Sequence, residues 1–204
     1  MLEAIALCCT RGERSLFADL SFGLPQGIAL RVRGENGSGK TSLLRILAGL
    51  APAAGGEVRW KGALLCDLGE DYLSQIVFIG HANALKDDLS AVENLRYGLA
   101  LSGIAVAEAA CRAALAEDGL GRIADLPVQW LSQGQKRRTA LTRLAFCRSR
   151  PLWILDEPFS ALDGSAVSRL AERLQRHLGD GGMVVFTTHQ EVPLGFVTQG
   201  LELQ

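Results

Sequence analysis

Apolar residues recur along this chain with two different periods, and the places where the period changes divide it. Leu2 to Ala6 and Leu16 to Leu24 read as strands on either side of a polar turn, Thr10-Arg11-Gly12-Glu13-Arg14. Pro25-Gln26-Gly27 marks a second turn, and Ile28 to Val32 is extended again. Leu43-Leu44-Arg45-Ile46-Leu47 begins a helix that stops at Gly49. Pro52-Ala53-Ala54-Gly55-Gly56 then breaks the chain before Glu57-Val58-Arg59-Trp60 resumes extended structure. Ile76-Val77-Phe78-Ile79 is short, apolar and β-branched, as a buried strand is.

From about residue 84 the period turns helical. Ser90-Ala91-Val92-Glu93 has the S-x-x-E form of a capping box, which predicts a helix starting at Ser90. An alanine-rich helix is expected over about Ala105 to Glu117, and a third after Ser132. This block, about 84–149, holds no convincing strand and reads as an insertion between two β-rich portions. A strand at Leu152 to Leu155, a helix from about Ser165 to Leu178, a strand at Met183 to Thr187 and a short one near Phe196 to Leu203 follow. Strands alternating with helices predict an α/β fold with a mostly parallel sheet. The 204 residues fit one domain, 1–204.

Composition narrows the possible surroundings. A formal net charge of −1 gives no overall drive toward nucleic acid or an anionic membrane. The local basic cluster Lys136-Arg137-Arg138 falls on the first turns of a helix and reads as a solvated face, so no nucleic-acid partner is expected. The uncharged stretch Tyr97 to Ala107 is about half of what a membrane span needs. Glu3 interrupts the first apolar residues, so no signal peptide is expected and the chain is placed in the cytosol unless a partner holds it at a membrane. Five cysteines without a C-x-x-C spacing read as reduced thiols, with Cys8 and Cys9 on opposite faces of a strand.

The chemistry concentrates in two stretches. Gly34-Glu35-Asn36-Gly37-Ser38-Gly39-Lys40-Thr41-Ser42 fits the phosphate-cradling pattern G-x-x-x-x-G-K-[ST], with a strand before it and a helix after it. Such a loop turns its N–H groups inward at a helix N-terminus, where partial positive charge favours phosphates. Lys40 is expected on the β- and γ-phosphates of a nucleoside triphosphate, and the Thr41 hydroxyl on Mg²⁺. Trp153-Ile154-Leu155-Asp156-Glu157 is an apolar strand ending in two acids, beside that loop if the sheet is parallel. Asp156 is then placed to bind Mg²⁺, and Glu157 to orient and deprotonate an attacking water.

Leu131-Ser132-Gln133-Gly134-Gln135 differs from the signature LSGGQ only at Gln133, and it stands about 25 residues before the paired acids. With Ser160-Ala161-Leu162-Asp163 and His189 in the expected order, the whole chain resembles the ATP-binding subunits of ABC transporters. The resemblance implies a P-loop NTPase core with an N-terminal antiparallel β subdomain and an inserted helical subdomain. It implies that Ser132, Gly134 and Gln135 meet the γ-phosphate held by a second copy, in a head-to-tail dimer that sandwiches ATP. Asp163 then belongs to the D-loop, and His189 contacts the γ-phosphate. Two positions depart from the pattern. His81 stands where a glutamine normally touches the metal or the water, and Arg11 where an aromatic normally stacks on adenine.

Lys40-to-Leu50, Gly80-His81, Ala91-to-Tyr97, Trp153-to-Phe159 and Thr187-to-Gln190 together look like the ATP-binding subunits of cytochrome c maturation (haem exporter) systems. That resemblance implies a CcmB-like membrane partner with CcmC- and CcmD-like proteins nearby. It also implies ATP use tied to haem export or to release of the haem-charged chaperone CcmE. The implied place is peripheral, on the cytoplasmic face of the bacterial inner membrane. The alternatives are a subunit of another small ABC transporter, a soluble ABC protein, and a nucleotide-binding regulator. Soluble ABC proteins usually carry tandem halves or a long coiled coil that 204 residues do not hold, and Glu157 argues against a regulator without turnover.

Overall fold

A computed structural model describes residues 1–203. Its centre is a five-stranded sheet of β3 (Ala29–Gly34), β6 (Ile76–Ile79), β7 (Leu152–Leu155), β8 (Met183–Thr187) and β9 (Thr198–Leu203), ordered β6-β7-β8-β3-β9 with every pair parallel. Successive residues of a strand point to opposite faces, and in β7 and β8 both faces are dry. Leu152 and Ile154 join one core and Trp153 and Leu155 the other; Met183 and Val185 divide from Val184 and Phe186 in the same way. This is why these strands are uniformly apolar rather than alternating. Helix α1 (Lys40–Leu47) lays Leu43, Leu44, Ile46 and Leu47 into the first core, and α6 (Gly164–Gly179) lays Leu170, Leu174 and Leu178 into the second.

The first core is closed by an antiparallel sheet of β1 (Leu2–Arg11), β2 (Arg14–Leu24), β4 (Gly55–Trp60) and β5 (Ala63–Leu64), in the order β2-β1-β4-β5. The β1–β2 ladder runs to the pair Arg11↔Arg14, so the expected five-residue turn shrinks to Gly12-Glu13. Ladder hydrogen bonds satisfy the backbone there whatever the polarity of the side chains. Within β1 the inward face switches from Leu2 and Ala4 to Leu7 and Cys9, across a register shift where Ala6 sits at φ 46°. A bulge is what allows that switch. Cys9 is buried and Cys8 half-buried, and all five cysteines are free.

Residues 84–149 carry α3 (Ala91–Leu101), α4 (Glu108–Glu117), α5 (Gln133–Thr142) and short 3₁₀ turns over the second core. Ser90 caps α3 with both arms of the predicted box: its hydroxyl accepts from the Glu93 N–H, and its own N–H donates to Glu93 at 2.8 Å. Helix α4 starts three residues later than Ala105, because Ala107 is extended (φ −65°, ψ 144°) and acts as the cap. Helix α2 (Leu65–Ser74) has no counterpart in the sequence reading. It buries only Tyr72, has no side-chain cap and kinks at Gly69, so neither periodicity nor punctuation announces it. Among the described residues no helix is long and apolar enough to cross a membrane.

Candidate nucleotide site

The loop after β3 earns its shape at Gly39, which lies at φ 99° and leads into α1. An added Cβ there would sit 3.1 Å from Leu16 and Phe17, so both the backbone angle and the β2 side chains require glycine. Helix α1 has no side-chain cap, which leaves its first N–H groups available to an anion. Lys40 is buried, and its ammonium donates to the carbonyls of Gly34 and Glu35 at 2.8 Å each, bracing the loop from inside. Ser38 is buried as well, and its hydroxyl has no protein partner.

Asp156 follows β7 and is held on every side. Its Oδ2 accepts from the Thr41 hydroxyl at 2.8 Å and its Oδ1 from the Thr187 hydroxyl at 2.7 Å. Its carbonyl accepts from Arg137 at 2.6 Å, and its N–H donates to the Ile79 carbonyl. Glu157 comes next, at φ 49°, a left-handed angle that is uncommon for a non-glycine residue. Its N–H donates to Thr187 Oγ1 at 2.8 Å. Its Oε1 is buried without a hydrogen bond and lies 3.3 Å from His189 Nε2, near enough for Coulombic contact but out of line for a bond.

A cleft of about 540 Å³ gathers most of the expected residues: Arg11, Asn36, Gly37, Gly39, Lys40, Thr41, Ser42, His81, Asp156, Glu157 and His189. Leu16, Ser160 and Gln190 also line it. Thr41 and Asp156 together offer a hydroxyl and a carboxylate oxygen, the hard donors that suit Mg²⁺ alongside a nucleotide's phosphates. His81 is exposed and lines the same cleft, and among the described residues no group of three or more His, Cys, Asp or Glu forms a metal cluster.

Ser132, Gly134, Gln135 and Asp163 do not line this cleft. Ser132 caps α5 and accepts from the Gln135 N–H, while the Gln135 side chain accepts from the Ser132 N–H at 2.8 Å. A Cβ on Gly134 would lie 2.5 Å from the Ala161 carbonyl, so close packing against that loop demands glycine. Gln133 is exposed on the first turn of the helix, where a side chain meets no such limit. Asp163 caps α6 by accepting from Ala166 N–H and the Ser165 hydroxyl, bonds that hold its carboxyl below the usual range.

The basic cluster is not the solvated face that its charge suggests. Arg137 is only 4% exposed and donates to the Gly80 carbonyl, Asn83 Oδ1 and the Asp156 carbonyl. Arg138 is largely covered and reaches the Asp118 carbonyl, and Lys136 pairs with Asp87 at 3.5 Å. Arg137 and Thr187 are the residues that sequence reasoning missed. The signal for Thr187 was a polar residue closing an otherwise apolar strand; nothing marked Arg137.

The ABC transporter family profile matches residues 17–160. Over 203 residues the chain is 50% identical to the cytochrome c biogenesis ATP-binding export protein CcmA of Nitrosospira multiformis, covering 99% of this chain and 98% of that protein. This chain belongs to the CcmA family of ABC transporter ATP-binding subunits. A CcmA from Dechloromonas aromatica is likewise 50% identical, over 98% of both chains. Among solved structures, an ATP-binding subunit of an ABC transporter superposes with a TM-score of 0.86 at 26% identity, covering 100% of this chain and 86% of that one. A dimeric ATP-binding cassette in a post-hydrolysis state, bound to ADP and Pi, gives 0.85 at 25% identity, over 100% and 94%. Nucleotide binding and ATP hydrolysis in a transporter go with this membership.

Proposed function

We propose that residues 1–204 form one ATPase domain that works as the ATP-hydrolysing subunit of a cytochrome c biogenesis transporter. The observation that carries the catalytic part is the Thr41–Asp156 contact at 2.8 Å, with the unbonded Glu157 Oε1 and His189 in the same cleft. In this reading the N–H groups of residues 34–42 and Lys40 hold the triphosphate, and Thr41 and Asp156 hold Mg²⁺. Mg²⁺, when bound, neutralises charge on the phosphates. Glu157 orients and deprotonates the water, and His189 contacts the γ-phosphate. His81 takes the place of the Q-loop glutamine, and Arg11 lays its guanidinium plane along the base.

Ser132, Gly134 and Gln135 serve the nucleotide of a second copy, with Asp163 close by, so that ATP joins two chains head to tail. Their position away from the chain's own cleft supports this, as does the dimeric state of the similar cassettes. The membrane partner is CcmB-like, with CcmC- and CcmD-like proteins, on the cytoplasmic face of the bacterial inner membrane. ATP there energises haem export or release of the haem-charged CcmE. In this reading the membrane partner sits in a groove of about 510 Å³, whose lining includes Leu50, Leu73 and Leu101, exposed apolar side chains that such a partner would cover.

The test uses the purified chain and its Glu157→Gln variant, assayed for phosphate release and for dimerisation with ATP. Slow turnover together with an ATP-bound dimer is expected of the variant; wild-type turnover would remove Glu157 from its role. Pull-down from solubilised membranes tests the partner, and Leu101→Asp, 72% exposed in the chain alone, should abolish capture while leaving the fold intact.

A further inference from the structure

Strands β7 and β8 pair in parallel up to Leu155↔Phe186, and the next residues are Asp156 and Thr187. There the main-chain ladder stops and the Thr187 side chain takes over. Its hydroxyl donates to Asp156 Oδ1 at 2.7 Å and accepts from the Glu157 N–H at 2.8 Å. A hydroxyl has one donor and two acceptor sites, so a single oxygen can serve both neighbours at once. Thr187 is 0% exposed, so it meets the two acids from within the protein. Asp156 Oδ2 is already taken by Thr41, which leaves Oδ1 as the atom that fixes the rotation of the carboxylate. Glu157 needs a fixed partner of its own, since its φ of 49° is a conformation that the surroundings must hold.

From this geometry we infer that Thr187 is a positioning residue for hydrolysis, whose one hydroxyl sets both the metal-binding Asp156 and the backbone of the general base Glu157. The inference rests on the roles proposed for those two acids. Thr187 does not line the cleft; it acts through Asp156 and Glu157, which do. β-Branching restricts its χ1, and the two hydrogen bonds select the rotamer that aims the hydroxyl.

The experiment compares Thr187→Val, which keeps the shape and loses both bonds, with Thr187→Ser, which keeps the hydroxyl. The full chain is used, alone and with the membrane proteins that co-purify with it. Thr187→Val should lose turnover by roughly 10²-fold, the scale of an ångström-size misplacement at a reacting centre. ATP affinity measured in EDTA should stay within about threefold of wild type, because the loss falls on kcat rather than on ground-state binding. Thr187→Ser should recover most of the rate. In a Glu157→Gln background, Thr187→Val should cost less than it does in the wild type, since of the two acids it sets only Asp156 still has its role.

Wild-type turnover in Thr187→Val, equal losses in the Val and Ser variants, or metal-free ATP affinity falling in step with rate would each overturn the inference. If the valine variant does not fold, Thr187→Ala and Thr187→Ser carry the comparison, and equal rates overturn it. A fast Glu157→Gln would remove the base assignment itself. A slow Glu157→Gln beside a fast Thr187→Val would remove only the role of Thr187.

Discussion

Replacing Arg137 by methionine keeps most of its volume and removes three hydrogen bonds, to the Gly80 carbonyl, Asn83 Oδ1 and the Asp156 carbonyl. Each acceptor left without a partner in the interior costs about 1–3 kcal/mol. Gly80 and Asn83 are partly exposed and can turn to water, so the main loss falls on Asp156. Against this stands the relief of a buried charge, whose pKa burial pulls below the ordinary arginine value despite Asp156 and Glu157 nearby. The balance is a destabilisation of about 1–3 kcal/mol, with Arg137→Ala worse by roughly 2 kcal/mol for the cavity it leaves. Because the Asp156 carbonyl and residues 80–83 lose their common anchor, turnover should fall about tenfold as well. Urea unfolding and phosphate release measure the two effects. Unfolding midpoints and rates equal to wild type in Arg137→Met would refute the strut, and a stable, active Arg137→Glu would return this residue to the solvated face.

Lys40→Ala should lose ATP affinity and turnover together, read by nucleotide titration and phosphate release; either one unchanged would count against its place on the phosphates. Glu157→Gln should retain binding while turnover falls by roughly 10²–10⁴-fold, the range of a lost general base. Acidification should destabilise the fold through His177, which stacks on Trp153 at 3.8 Å and whose pKa burial lowers from 6.5 to about 4. The unfolded chain takes up that proton first, so the stability present above pH 6.5 is lost as pH falls toward 4, by up to about 2 kcal/mol at pH 5 and nearer 1 after solvent screening. Urea midpoints that stay level between pH 7.5 and 5 would contradict it, as would a His177 NMR titration near 6.5.

Much of this molecule was legible because its instructions are local. The P-loop, the capping box at Ser90 and the buried runs at 76–79, 152–155 and 183–187 all state their structure within a few residues. Their order then sufficed for the parallel sheet and for the cleft at its end. Helix α2 stayed hidden because it lacks a side-chain cap and buries a single side chain. The turn at 10–14 was misjudged because charged residues can sit in an exposed ladder without breaking it. Arg137 was misjudged for a related reason: a run of three cations looks the same whether the middle one is solvated or enclosed.

What the motifs could not give is the connection between them. Asp156 is announced by five apolar and acidic residues, yet it is held in place by Thr41, 115 residues earlier, by Thr187, 31 later, and by Arg137, 19 earlier. None of these separations is a helical or strand period, so no pattern in the chain points from one to the other. Each hydrogen bond alone is worth about 1 kcal/mol, too little to fix a carboxylate by itself. Acting from three elements on one residue, they restrict its rotation, its backbone and its neighbour Glu157 at once. The same arrangement links the helix that begins at Ser132 to the chain's own cleft, through a single guanidinium. Arg137 therefore ties α5 to the Asp156 carbonyl and, through the Gly80 carbonyl, to the backbone next to His81.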